Sequence, residues 1–237
     1  MLRALVWDVD GTLAETEHDG HRVAFNQAFA EEGLGWHWDE ALYHDLLSTT
    51  GGKERMWRWW QQVDPAAAAA PEAPARIARL HGRKTAIYGD LVARGVVQLR
   101  PGVARLLLAA RAEGLVLAIA TTTAPENVQA LLQATLGADS PGWFACIGAG
   151  DVVPRKKPAP DVYHWVLQGL GLPAGACLAL EDSAPGSTAA VAAGLPTVVT
   201  RSRYTADDVL TASPLLRADL ADLGAVSLAQ LRAWHQR

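Results

Sequence analysis

The amino-acid sequence predicts an α/β fold, a doubly wound parallel sheet with a small all-helical segment inserted after its first strand. Three observations predict it. Short apolar runs that read as buried strands alternate with stretches of helical periodicity, the pattern of a parallel sheet covered on both faces. Between Thr12 and Arg100 nothing reads as a strand, and only helical periodicity remains. Three of the apolar runs end in acidic or hydroxyl side chains, at the carboxyl ends where open α/β sheets bind their ligands.

The first run, Ala4 to Trp7, leads straight into Asp8-Val9-Asp10-Gly11-Thr12. Acids at i and i+2 on extended backbone point to one side, and Gly-Thr allows a sharp turn away from the strand. From about Glu17 to Glu32, Val23, Ala24, Phe25, Ala28 and Phe29 recur at helical spacing until Gly33 and Gly35 end the segment. Further helices are predicted over 39–47, 53–63 and 74–93, so the insert reads as a small bundle. Its tryptophans, Trp36, Trp38, Trp57, Trp59 and Trp60, fit packing between helices, with a substrate-facing wall as the alternative. The alanine tract from Asp64-Pro65 to Ala70-Pro71 reads as a surface loop.

The α/β rhythm resumes at Arg100-Pro101-Gly102 with a helix over 103–113, an apolar run over 115–120 ending at Thr121-Thr122-Thr123, and a helix over 126–136. A short strand over 144–147 precedes the loop Asp151 to Pro160, which contains Lys156-Lys157-Pro158. A helix over 161–170 then leads into Cys177 to Leu180, which ends at Glu181-Asp182-Ser183; another helix closes at Gly194, and Thr197 to Thr200 is a later strand. The expected division is residues 1–15 and 96–237 for the α/β core and 16–95 for the helical insert.

Composition narrows the function classes. At 237 residues and half apolar, the chain is long enough for a core plus a smaller inserted unit. A net charge of −4 without a basic block argues against nucleic acid or an anionic membrane as the main partner. Cys146 and Cys177 sit at no ligand spacing and are expected to be buried thiols in a reducing compartment. No stretch is long and apolar enough for a signal core or a membrane span, so the expectation is a cytoplasmic protein, taken as a monomer.

The residue types at the strand ends fit one job. Asp8, Asp10, Glu181 and Asp182, with no clustered cysteine or histidine, favour a hard cation such as Mg²⁺. Thr121, with nearby backbone N–H groups and a helix start, offers donors to phosphoryl oxygens, and Lys157 adds a point charge. Together they would stabilise a transferring phosphoryl group while Asp8 attacks it in line. Singly, Thr121 is a helix cap, Lys157 a solvated loop charge and Glu181-Asp182 the start of a helix; their order on one sheet edge carries the case.

That order resembles the haloacid-dehalogenase superfamily of phosphotransferases over essentially the whole chain. Asp8-Val9-Asp10-Gly11-Thr12 is similar to its first motif, Thr121 to its second, Lys157 before Pro158-Ala159-Pro160-Asp161 to its third and Glu181-Asp182-Ser183 to its fourth, on a Rossmann-like core with a helical cap. The resemblance implies that Asp8 forms an aspartyl-phosphate and that Asp10 protonates the leaving group and then activates water. It implies Mg²⁺ on Asp8, the Asp10 carbonyl and Asp182, with Glu181 direct or through water. Thr121 and Lys157 would bind the phosphoryl group, with the Thr122 backbone helping.

Within the insert, Thr16-Glu17 and His21-Arg22-Val23-Ala24-Phe25-Asn26 resemble the β-phosphoglucomutase-like subgroup, in which a cap histidine near the general acid contacts substrate. Thr49-Thr50-Gly51-Gly52-Lys53-Glu54-Arg55, two glycines opening a helix with two cations in its first turn, suits a second anion. This stretch, with Ala14 to Glu17, resembles the CbbY-type phosphatases of the Calvin-Benson cycle. Substrate contacts are thus expected at Glu17, His21, Gly52, Lys53, Arg55, Thr122 and Thr123. The implied activity is a Mg²⁺-dependent phosphatase for a small phosphorylated sugar, such as xylulose 1,5-bisphosphate. Alternatives are a phosphoglucomutase-type isomerase, a phosphoglycolate phosphatase, or a catalytically silent binding protein on the same fold; Gly51, where the mutases keep a lysine, disfavours the isomerase.

Overall fold

The computed structural model describes residues 1–237. Six parallel strands form one sheet: β1 (Ala4–Trp7), β2 (Val116–Ala120), β3 (Phe144–Gly148), β4 (Cys177–Glu181), β5 (Thr197–Thr200) and β6 (Leu216–Leu220). Their order across the sheet is β3-β2-β1-β4-β5-β6. The chain winds outward from β1 to one edge and then crosses to β4, so the order reverses between β1 and β4 and a crevice opens there at the carboxyl ends. Trp7 lies level with both Ile119 and Leu180. Asp8 therefore leaves β1 at the height where Thr121 follows β2 and Glu181 ends β4.

Strand side chains alternate between two helical layers. Leu5, Trp7, Leu117, Ile119, Leu178 and Leu180 join the larger core beneath α6 (Val103–Ala112), α7 (Pro125–Leu136) and α10 (Leu228–His235). Ala4, Val6, Ala118, Ala120, Cys177 and Ala179 face α8 (Asp161–Leu170) and α9 (Ala184–Ala192). The smaller residues on that face let α9, itself rich in alanine, approach the sheet closely.

Between β1 and α6 the chain is helical: a π-helical turn over Glu17–His21, then α1 (Arg22–Glu31), α2 (Glu40–Leu46), α3 (Gly52–Val63), α4 (Pro65–Ala68) and α5 (Ala73–Ala93). These helices close over a separate core of Phe25, Phe29, Trp38, Tyr43, Met56 and Trp60. The tryptophans pack: Trp38 and Trp60 are buried, and Trp36, Trp57 and Trp59 lie partly covered against the same cluster. The Asn26 carboxamide fixes Trp38 by two 2.8 Å bonds to its backbone.

Three expectations need correction. The alanine tract is a short helix and not a loop throughout, because the Asp64 carboxylate accepts from the Ala67 N–H at 3.0 Å and Pro65 occupies the first turn. Cys146 is half-buried and not buried, since β3 is an edge strand. Beyond Thr200 lie β6 and α10, which the sequence reading did not predict. No helix is long and apolar enough to cross a membrane.

Candidate active site

The three strand ends converge as the register requires. Lys157, buried at the end of its loop, spends all three ammonium donors inside the site: on Asp8 Oδ1 at 2.6 Å, on Glu181 Oε1 at 2.6 Å and on the Ala120 carbonyl at 2.9 Å. Burial disfavours its charge, but the Asp8 and Glu181 carboxylates outweigh that and raise its pKa. The same burial pushes Asp8 up to about 7 against the pull of Lys157, with Glu181 and Asp10 adding repulsion. Asp182 is pushed well above the usual carboxylate range by burial and then by Asp8 and Glu181.

Oxygen atoms of Asp8, Glu181 and Asp182 lie within 4.8 Å of one another, and all three residues are buried. Glu181 Oε2 is buried with no hydrogen-bond partner. Three hard, mutually repelling donors and an orphaned oxygen suit a divalent cation, which would relieve both defects. Two glycines leave room for this cluster. Gly11, at φ 77°, carries no Cβ that would come within 2.1 Å of Asp182 Oδ2, and a Cβ on Gly186 would reach 2.0 Å from Glu181 Oε2. Thr121 and Thr122 line the same cleft of about 500 Å³ with Asp8, Asp10, Lys157 and Asp182. Thr123 turns from it, its hydroxyl accepting from Asn127 at 3.2 Å.

Asp10 has a different environment. Its Oδ1 accepts from the Thr16 hydroxyl at 2.6 Å and meets His21 Nε2 at 2.9 Å. His21 Nδ1 lies 2.7 Å from Lys84 Nζ, so the ammonium donates to Nδ1 and the ring proton sits on Nε2, facing Asp10. Burial works to raise Asp10, but His21 and Thr16 prevail and hold it at about 2. Burial draws Lys84 down to about 8, opposed by Glu17 and Asp10. The π-helical turn brings Glu17 and His21 toward the core, and Tyr88 stacks on the His21 ring at 4.2 Å. The Asp10 carboxylate is not among the three that cluster for a cation.

The two cations expected to form one anion site diverge. On a helix, residues two apart point about 200° from each other. Arg55 is buried in the cleft beside Glu17: its Nη1 donates to the Tyr43 hydroxyl at 2.9 Å and lies 3.8 Å from Glu17, while the Tyr43 hydroxyl donates to Glu17. Arg55 Nε is buried without a partner. Lys53 instead reaches Asp151 at 2.7 Å on the rim of a neighbouring cavity of about 940 Å³. Gly52 borders both that cavity and a small recess lined by Arg55, His81 and Lys84.

A model of the haloacid dehalogenase-like hydrolases matches residues 2–194. The chain belongs to this family. It is 50% identical over 247 residues to the plasmid-encoded CbbY of Cupriavidus necator, covering 99% of this chain and 97% of that protein. It is 42% identical to the CbbY of Rhodobacter sphaeroides crystallised with phosphate, with a TM-score of 0.89 over 98% of this chain and 100% of that one. A mutant of the same protein in complex with xylulose-(1,5)bisphosphate gives a TM-score of 0.88 at 42% identity, over 98% and 99%. Among the haloacid dehalogenase-like hydrolases the chain falls in the CbbY group.

In this haloacid dehalogenase-like hydrolase two site features escaped the sequence reading. Lys84 occupies a position in the buried stripe of α5, between Ile77, Leu80 and Ile87, Tyr88, Leu91, and a lysine there was the available signal. Tyr163, on α8, had none, because a buried tyrosine reads as core. The insert also touches the catalytic loop directly: the Thr50 hydroxyl donates to the Lys157 carbonyl at 2.6 Å.

Proposed function

We propose that this hydrolase removes a phosphoryl group from a small phosphorylated sugar through an aspartyl-phosphate on Asp8, and that the substrate is a sugar bisphosphate such as xylulose 1,5-bisphosphate. The observation that carries the reading is the separation of two neighbouring acids: Asp8 is bound to Lys157 in the acidic cluster, whereas Asp10 is turned to Thr16 and His21. Two carboxylates in unlike environments can divide nucleophile from acid–base work.

In this reading an Asp8 oxygen attacks phosphorus in line as the bond to the sugar oxygen breaks. Thr121, the Thr122 backbone and Lys157 take the phosphoryl oxygens. The leaving oxygen takes a proton that His21 Nε2 hands to Asp10 and Asp10 passes on, while Lys84 gives one to Nδ1; Asp10, left as carboxylate, then takes a proton from the water that hydrolyses the acyl-phosphate and returns it along the same path. Asp8, the Asp10 carbonyl and Asp182, with Glu181 directly or through water, would hold Mg²⁺, which supplies positive charge between the phosphate and the attacking carboxylate. Residues 16–95 act as a cap over this core.

Replacement His21→Gln is expected to slow hydrolysis of a sugar phosphate by about 10²–10⁴-fold. It should leave p-nitrophenyl phosphate, whose leaving group needs no proton, nearly unaffected. Equal losses on both substrates, measured by phosphate release, would count against the proton route.

Bisphosphate specificity is assigned to Arg55, whose buried Nε lacks a partner, with Glu17 toward sugar hydroxyls and Gly52 bordering the same recess. The test is a screen of sugar mono- and bisphosphates, repeated with Arg55→Ala. Bisphosphate kcat/KM should fall by about 10²-fold or more, as for a lost charge-assisted pair, with monophosphates little changed. Conversion of glucose 1-phosphate to glucose 6-phosphate in place of phosphate release would favour the isomerase.

A further inference from the structure

The geometry points to Tyr163 as a positioning residue for the acidic cluster: its hydroxyl fills one oxygen of Glu181, so that the other is the one left for a cation or its bound water. The inference rests on the divalent-cation reading of Asp8, Glu181 and Asp182.

Tyr163 is fully buried on α8. Its hydroxyl donates to Glu181 Oε1, the same atom that receives Lys157 Nζ at 2.6 Å. A carboxylate oxygen offers two lone-pair positions, and these two donors occupy both. Oε2 has no donor at all. On the α9 side Gly186 leaves no room for a donor side chain, because even a Cβ would stand 2.0 Å from Oε2. The carboxylate is thus held by one oxygen with the other kept bare, an asymmetry that a rotating side chain would lose.

The ring contributes separately. Lys157 Nζ sits 5.3 Å from the Tyr163 ring centroid, within cation–π range, so the ring places the ammonium and the hydroxyl places its carboxylate partner. Without the hydroxyl, Oε1 would keep Lys157 as its sole donor. Glu181 would then be free to turn, and Lys157 would be drawn from Asp8 Oδ1, 2.6 Å away, toward Glu181.

Tyr163→Phe keeps the ring, its packing and the cation–π contact and removes the hydroxyl alone. Titration calorimetry of the full-length protein with Mn²⁺ alone reads the effect without any substrate. Partners that orient metal ligands commonly cost 10–100-fold in affinity when lost, and a weakening of about that size is the expected result. A Kd equal to wild type would overturn the role of Tyr163, whatever happens to the melting temperature, since a tyrosine that only fills the core changes stability and not metal affinity. If wild type itself binds no Mn²⁺, the divalent-cation reading fails and this inference falls with it. In turnover assays at saturating metal the variant should lose kcat while KM for the sugar phosphate stays within about twofold, because Tyr163 does not line the cleft and the substitution keeps the ring beside Lys157.

Discussion

Asp8→Asn is expected to abolish phosphate release, by on the order of 10⁴-fold or more, as loss of a covalent nucleophile does elsewhere. Asparagine keeps the shape and an acceptor for Lys157, so folding should survive. It also takes one negative charge out of a cluster in which burial already drives Asp8 up to about 7 and Asp182 well above its usual range. The metal-free variant should therefore melt no lower than wild type, while the acyl-phosphate trapped by acid quench of wild type is absent from it. Activity that survived the substitution, or a trapped phosphoryl group on another residue, would remove Asp8 from the role of nucleophile. The pairing of lost activity with kept stability is characteristic of a site whose charges are arranged for chemistry at some cost to the fold.

The legible parts of this site were those whose chemistry is local in sequence. Asp8 and Asp10 follow a continuous apolar strand, and Glu181 and Asp182 follow another, so one rule about strand ends located four carboxylates. What that rule could not supply was the partner of each acid. Lys84 comes to His21 across 63 residues because α5 packs on the π-helical turn, and no spacing encodes such a contact. Lys53 and Arg55 share a first helical turn in the sequence, yet the angle between positions two apart sends one to Asp151 and the other to Tyr43. β6 was missed for another reason: Leu216-Arg217-Ala218-Asp219-Leu220 is an edge strand, only partly covered, and lacks the apolar run that marked the central strands. α10 did carry a signal, Ser227 as cap with Leu228, Leu231 and Trp234 on one face.

Arg100 is the residue whose loss should cost the fold most. It is 7% exposed. It donates to four main-chain carbonyls: Gly11, Thr200 at 2.6 Å, Arg201 at 2.6 Å and Ala221 at 2.7 Å, while Nε lies 3.1 Å from Glu15. One planar fork thus ties the turn after Asp10 to the carboxyl ends of β5 and β6, a geometry that an ammonium cannot copy. Arg100→Met fills the space but leaves the four carbonyls without this donor. Removing one side of such a buried, charge-assisted set costs about 3–5 kcal/mol, and for a chain of this size that is a fall of about 6–20 °C in melting temperature. Arg100→Lys should recover only part of it, because three radiating donors cannot serve five acceptors in one plane. A shift under about 1 kcal/mol for the methionine variant would mean that water takes over the carbonyls. The site should register the loss as well. Gly11 passes directly over Asp182, and Thr205, in the turn over 203–207 that follows Arg201, donates to Asp182 Oδ2 at 3.2 Å, so both neighbours of that carboxylate lie on or close to segments whose carbonyls Arg100 holds. Weakening the fork should therefore lower metal affinity along with stability, whereas Asp8→Asn removes activity and leaves stability intact.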